Sequence, residues 1–350
     1  MTTRNPNSGT ERPELFGAIS SGISDAHVSP VSVVIPTYNR IGALLTCLAH
    51  LERQSWTDFN VIIVDDGSTD ATPQLLERYV SHSPLHIQYA RQPNSGPARA
   101  RNLAISLVRS PLCLIIGDDI FAAPDFIATH LHFHQRNPAP RQAALGLTRW
   151  SDSGQVVTPF MQWLDNSGTQ FSYGDLLRGV PPNWKHFYTS NLSVKTELLR
   201  QNPFNENFTG AAMEDIELGY RLERQHALEI AFLPQALAQH LHPTNFRKSC
   251  KRAFNVGLAS QRFHQLWPAP RSLPRSRIRR AFTAFLCWNR WLLAPLTLVT
   301  DLLIRFWCPN PFIAPVLRLH TAIGYRSAHP PSLGSGRKIC AKSSESRKGT

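Results

Sequence analysis

An α/β fold, with a mostly parallel sheet flanked by helices, is predicted by three observations. Val31–Ile35, Asn60–Val64 and Leu112–Ile116 are near-continuous aliphatic runs, the pattern of strands buried on both faces of a parallel sheet. Between the first two, Leu44, Leu45, Leu48 and Leu51 recur at helical spacing. The second and third runs stop on acid-rich turns, VDDGSTD (Val64–Asp70) and GDD (Gly117–Asp119), and an open parallel sheet forms its ligand crevice beyond the carboxyl ends of its strands.

The elements follow in order. The first strand runs into Pro36-Thr37-Tyr38-Asn39; Pro36 donates no hydrogen bond and is expected to end the ladder, and Asn39 to cap a helix over Ile41–Gln54. The second strand then completes a β-α-β unit. Gly67 and Ser68 permit a tight turn, and Thr69 or Asp70 can cap the next helix, through Leu75, Leu76 and Tyr79. Gly96-Pro97 opens a third helix carrying Arg99 and Arg101, and Gly117 lets backbone approach a ligand beside Asp118 and Asp119. His130, His132 and His134 follow Pro124 on a helix and read as a solvated face. MEDIELGYRL (Met213–Leu222) opens an amphipathic helix that buries Ile216, Leu218 and Leu222 and leaves Glu214 and Asp215 in its first turn, where the helix dipole favours negative charge. In QHLHP, His240 and His242 fall on one side of an extended segment.

Six segments together, VSVVIPTYNR, VDDGSTD, NSGPARARN (Asn94–Asn102), GDDIFAAPDF (Gly117–Phe126), TSNLSV (Thr189–Val194) and MEDIELGYRL, give residues 31 to about 242 a chain that resembles the family 2 glycosyltransferases. The resemblance implies a GT-A, Rossmann-like fold and transfer of a sugar from a nucleotide-diphospho-sugar to a hydroxyl of a glycan or lipid-linked acceptor, by a metal-dependent single displacement with inversion. Carried over by motif, it makes Asp66 the partner of the nucleobase edge, with Pro36 and Tyr38 lining the nucleoside pocket. Arg101 becomes the phosphate or nucleoside contact, with Arg99 as competitor. GDD lacks the first acid that many relatives have; the resemblance gives Asp119 to the metal and Asp118 to the donor's hydroxyls. His240 is implied as a second ligand, and the cation as Mn²⁺ or Mg²⁺, with imidazole favouring Mn²⁺. Asp215 is implied as the general base, ionised at neutral pH, with Glu214 the adjacent alternative. Among the aromatic residues 148–190, Trp184 is taken for the acceptor side, with Asn191 near the transferred sugar. The alternative function is a non-catalytic relative that binds nucleotide-sugar or glycan for a partner subunit. An inverting hydrolase has no use for these nucleotide and metal positions, and no Walker-type phosphate loop occurs.

The chain has 350 residues, 42% of them hydrophobic, and a net charge of +13. Residues 1–29, rich in small polar residues, read as a disordered leader without the apolar stretch of a signal peptide. Residues 30–267 read as the catalytic domain (30–125 donor half, 126–267 acceptor half), 268–330 as a basic, amphipathic helical extension, and 331–350 as a disordered tail. Cysteines 47, 113, 250, 287, 308 and 340 form no CxxC and are expected as reduced thiols in the cytosol. Basic residues cluster at Arg247–Arg252 and Arg271–Arg280 just before a Trp-rich apolar segment, Ala281–Trp307. That order suits an anionic membrane surface better than nucleic acid. Arg290, Asp301, Arg305 and Pro295 interrupt the segment, so a helix pair lying in the plane of the cytosolic face is expected, not a span. Its polar stripe, Arg290, Thr297, Asp301 and Arg305, is expected to face water or protein.

Overall fold

The computed structural model describes residues 16–21, 27–268 and 292–328; Arg271–Arg280 and the tail 331–350 lie outside them. Nine strands among the described residues form one sheet: β1 (Phe16–Ser21), β2 (Val31–Thr37), β3 (Asn60–Asp65), β4 (His86–Arg91), β5 (Leu112–Ile116), β6 (Ile120–Ala122), β7 (Gln142–Trp150), β8 (Asn191–Lys195) and β9 (Glu229–His240), in the order β1-β4-β3-β2-β5-β8-β7-β9-β6. β4, β3, β2, β5, β7 and β9 run one way; β1, β8 and β6 run against them. The predicted class, a mostly parallel GT-A sheet flanked by helices, is the observed one.

Alternate residues of the strands feed two cores. On one face Val31, Val33, Ile35, Val61 and Ile63 pack on α1 (Ile41–Leu51), α2 (Thr72–Val80) and α4 (Phe126–Arg136). On the other, Val34, Ile62 and Val64 pack in one cluster with residues of α3 (Pro97–Leu107), α6 (Tyr173–Leu177), α7 (Thr196–Gln201) and α8 (Glu214–His226). A third cluster joins α5 (Pro159–Asn166), α9 (Phe246–Leu266) and α11 (Ile313–Ser327). α9 and α11 cross through Gly257 and Gly324: a Cβ on Gly324 would stand 2.0 Å from the Phe254 carbonyl oxygen, and one on Gly257 2.0 Å from that of Thr321. The C-terminal extension is therefore packed on the catalytic body at this crossing. Of the expected polar stripe Arg290 lies outside the described residues and Arg305 is exposed; on α10 (Leu293–Phe306) Asp301 pairs with Arg247 at 2.7 Å and Thr297 Oγ1 lies 3.1 Å from His320 Nε2.

Four local expectations are corrected. Residues 16–21, inside the expected disordered leader, form β1 on the open edge of β4; composition does not register a ladder offered by a strand some seventy residues away. Pro36 does not end β2, whose pairing with β3 continues to Thr37↔Asp65. The ladder with β5 has already stopped at Val34, so a missing N–H is harmless on that side. Asn39 does not cap α1: at φ 52° its Oδ1 accepts from the Thr69 and Asp70 N–H groups, at 2.7 and 3.2 Å, and ties the two strand-end turns together. His130 and His134 are buried, not solvated; both rings bond Ser193 Oγ, at 2.8 and 2.9 Å, and His130 Nε2 bonds Asn191 Oδ1 at 2.9 Å. Of the three histidines only His132 is exposed.

Burial pushes the His130 imidazole down to about 4 and His134 to about 3. Unfolded, both titrate near 6.5, so the unfolded chain takes up these protons first. Their contribution to stability is whole above pH ~7 and is lost as pH falls toward 4. Urea midpoints should drop between pH ~7.5 and ~5, and His134→Gln, which retains an amide donor for Ser193, should lose about 2 kcal/mol less over that interval. Equal losses in the two proteins would refute the assignment.

Candidate active site

The carboxyl ends of β2, β3 and β5 bring Thr37, Asp65, Asp66, Asp118 and Asp119 to one place, and all four acids are at most 5% exposed. Asp65 closes its own turn, accepting from the Ser68 N–H at 2.8 Å and facing Arg91 Nε at 3.3 Å. Asp66 accepts from Gln92 Nε2 (2.7 Å) and from the Ser95 and Gly96 N–H groups (2.9 and 2.8 Å). Three of a carboxylate's roughly four acceptor directions are thus taken by the loop 92–96, and about one remains for a base edge. Tyr38 is exposed and Pro36 half-buried at the rim of the same crevice.

Asp118 and Asp119 are held from both sides. Thr37 Oγ1 donates to Asp118 Oδ2 at 2.8 Å, and the Arg40 guanidinium reaches Asp118 Oδ1 at 2.9 Å and Asp119 Oδ2 at 2.8 Å. At Gly117 a Cβ would stand 2.8 Å from Asp119 Oδ1, so a larger residue there would displace the Asp119 side chain. The antiparallel pair β6–β9 sets Ile120 opposite His240, and the Leu241 N–H donates to the Asp119 carbonyl at 2.9 Å. So Asp119 Oδ2 meets His240 Nε2 at 3.2 Å and His242 Nδ1 at 3.4 Å. The expectation that both imidazoles share one side holds, their centroids lying 5.1 Å apart. Trp150 stacks on His240 at 5.5 Å with an interplanar angle of 7° and fixes that ring. Burial and the charge of Asp119 push Asp118 up to about 6, against Arg40 and Thr37. Burial acts the same way on Asp119, but His240, His242 and Arg40 outweigh it and hold that carboxyl well below its usual range.

Asp119, His240 and His242 each offer one ligand atom, and these atoms lie within 4.8 Å of one another. A carboxylate and two imidazoles fit a divalent cation, with Mn²⁺ favoured over Mg²⁺ by the nitrogen ligands. Arg40 now neutralises the carboxylates, so a cation would take over its contact with Asp119. The Thr37/Asn39 turn is expected from the strand end to face the cleft with Asp65 and Asp66, whereas Arg40 carries no mark in the sequence beyond its place in VSVVIPTYNR just after a strand.

At the start of α8, Met213 adopts φ 69° and turns the chain into the helix. Glu214 is buried and accepts from Arg101 NH1 at 2.8 Å, while the Arg101 guanidinium lies over the Phe204 ring at 5.5 Å. Arg101, expected as a phosphate or nucleoside contact, is here the counter-charge that a carboxylate in a low-dielectric site needs, and its Nε is left without a partner among the described residues. Arg99, about half exposed, lies 4.0 Å from Glu206 at the surface. With Glu214 committed, Asp215 is the acid left at the helix start. Burial, then the charge of Glu214, pushes it up to about 7, against Arg101 and Arg252. The expected effect of the helix dipole is outweighed, so Asp215 is poised near neutrality instead of firmly ionised.

Of the acceptor-side residues, Asn191 is corrected and Trp184 is half-buried. Asn191 is fully buried; its Nδ2 donates to the Ala236 and Leu147 carbonyls at 2.9 and 3.3 Å, where the β7–β9 register shifts, and so satisfies groups the ladder leaves open. Trp184 packs between helices, stacked 5.7 Å from Phe263 of α9 and edge-on to Tyr220 of α8 at 5.0 Å.

Residues 32–176 match the model of "Glycosyl transferase family 2". The chain is 34% identical over 222 residues to validoxylamine A glucosyltransferase of Streptomyces hygroscopicus subsp. jinggangensis, covering 56% of this chain and 52% of that protein, so it spans about half the length of that relative. It is 26% identical over 279 residues to the uncharacterized glycosyltransferase YfnE of Bacillus subtilis, covering 67% and 71%. In fold it is similar to the mannosyltransferase PcManGT of Pyrobaculum calidifontis, solved in complex with GDP-Man and Mn²⁺, at a TM-score of 0.56 and 18% identity over 86% of this chain and 87% of that one. The matched segment contains the strand-end acids of the site described above, and through it residues 32–176 of this chain form a glycosyl transferase family 2 domain.

Proposed function

We propose that the chain moves a sugar from a nucleotide-diphospho-sugar to a hydroxyl of a glycan or lipid-linked acceptor, with inversion at the anomeric carbon. The observation that carries this is the convergence of Asp119, His240 and His242 at the end of the sheet. The relatives named as glycosyltransferases and the nucleotide-sugar and Mn²⁺ in the mannosyltransferase complex support it. In this reading Pro36, Tyr38 and the open direction of Asp66 receive the nucleoside, and Asp119 with both histidines holds the cation. What such a cation supplies when bound is positive charge opposite the departing diphosphate. Asp215 takes the proton of the acceptor hydroxyl as that oxygen bonds to the anomeric carbon. The bond to the diphosphate oxygen breaks with its electron pair leaving on the nucleotide. Glu214, fixed by Arg101, keeps Asp215 basic enough for this near neutral pH.

The same proposal places the protein peripherally at the cytosolic face of a membrane. Leu298, Val299, Leu302 and Phe306 expose an apolar side of α10, with Phe306 84% exposed, opposite the stripe that binds α9 and α11. No helix among the described residues is long and apolar enough to cross a membrane.

Asp119→Asn should leave the fold intact and lower Mn²⁺-dependent hydrolysis of a nucleotide-sugar panel by about 10²-fold or more, the scale of several kcal/mol of charge stabilisation. Near-wild-type turnover would refute the metal assignment. For Asp215, the deprotonated form is the active one, so transfer should fall as pH drops through about 7. Asp215→Asn should reduce transfer by about 10²-fold and flatten that profile while nucleotide-sugar binding persists; a collapse of donor affinity with turnover of bound donor intact would put Asp215 in the donor site. For the membrane, Leu302→Gln/Phe306→Gln is the appropriate variant, because truncation at Trp267 would also strip α11 from α9. Its co-sedimentation with phosphatidylglycerol vesicles should fall several-fold while its Tm stays unchanged, and wild-type-like sedimentation would exclude α10 as the contact.

A further inference from the structure

A cleft of about 820 Å³ opens beside the site. One wall is a single face of α9, carrying Lys248, Lys251, Arg252 and Arg262; the other is the segment 207–212, which leads into Met213 and Asp215; His242 stands at its inner end. Spacings of three, four and more residues put these cations on one side of the helix, and the step from Lys248 to Arg262 covers about 21 Å. No Asp or Glu lines the cleft. Lys248 Nζ donates to the Pro243 carbonyl at 3.1 Å, and Lys251, Arg252 and Arg262 form no ion pair among the described residues. Arg247, on another side of α9, is already neutralised by Asp301. Arg252 is close enough to lower the Asp215 carboxyl, so the row of charge begins at the position of the base.

We infer that this cleft receives the acceptor, and that the acceptor is anionic, bearing phosphate groups along the row while its hydroxyl reaches Asp215. The inference rests on the function proposed above. A donor diphosphate alone does not account for cations spread over about 21 Å of helix, and the metal-ligand cluster already lies at the inner end. Guanidinium and ammonium groups in a cleft free of carboxylates select phosphate by charge and hydrogen bonding together. The phosphate can be borne by a lipid headgroup or by a soluble glycan; the chemistry recognised is the same.

The test uses the full chain in EDTA, titrated calorimetrically with inorganic tripolyphosphate. Lys251→Gln/Arg262→Gln should bind about tenfold more weakly, the scale of removing one charge-assisted hydrogen bond. The control Arg78→Gln/Arg136→Gln, which removes equal charge from exposed helix positions, should bind as the wild type does. Unchanged binding by the cleft variant, or equal weakening by the control, overturns the inference. So does displacement of tripolyphosphate by UDP or GDP in the same buffer, which would give the cleft to the donor. Vesicles of phosphatidylcholine with and without phosphatidic acid separate the sources: sedimentation that depends on Lys251 and Arg262 identifies a lipid-borne phosphate, and tripolyphosphate binding without it identifies a soluble one. Hydrolysis of the nucleotide-sugar panel by the wild-type chain is read separately. Its absence would sink the proposed transferase function while the titration still reports on the cleft.

Discussion

Four carboxylates buried at one end of a sheet form the constraint on which the rest of this site depends. An isolated buried carboxylate is strongly disfavoured, so each of Asp65, Asp66, Asp118 and Asp119 must be given donors, and finding them dictates much of the surrounding chain. Asp66 shapes the loop 92–96 around its oxygens. Asp118 draws in Thr37 and Arg40, and Asp119 draws in the end of β9. The same requirement recurs at α8, where Glu214 holds Arg101. The crevice is thus organised by the neutralisation of its acids, and its geometry is shared among elements far apart in sequence.

What was legible in the sequence follows from locality. The runs at Val31, Asn60 and Leu112 became β2, β3 and β5 within a residue or two, since burial on both faces leaves a compositional trace that needs no knowledge of partners. The helix signals at Leu44 and Leu218 were equally local. Asp119 and His240 were paired by motif, and alternation put His242 on the same side as His240; that all three come together is seen only in the structure. Several of the failures share one cause. Arg101 with Glu214, Arg40 with Asp118, His130 with Asn191 and β1 with β4 all join residues more than sixty apart. Nothing at either end of such a contact marks it. Asn191 looked like a cleft residue because it is polar and sits in a strand with a functional resemblance; its position at a register shift, where two carbonyls lack partners, is visible only once the strands are paired.

The same limit explains the aromatic residues. The aromatic residues 148–190 suit either sugar stacking or cover for the sheet; Phe160 and Tyr173 are buried, Trp184 packs in the joint between α8 and α9, and Trp150 lies against His240. Packing and ligand binding draw on the same side chains, and composition does not separate the two uses.

Arg40 carries a consequence for how the protein can exist at all. Its one guanidinium bridges both acids of the GDD turn, so their repulsion is compensated from within the chain as soon as β2 and β5 lie side by side. Structural metal sites of the zinc-finger kind take their folding energy from the ion and unravel under a chelator. Here the place that the proposed cation would take at Asp119 is held by a side chain. On that reading the strand-end turn can form before any ion arrives, and the ion would enter by exchange with Arg40 instead of being built into the fold.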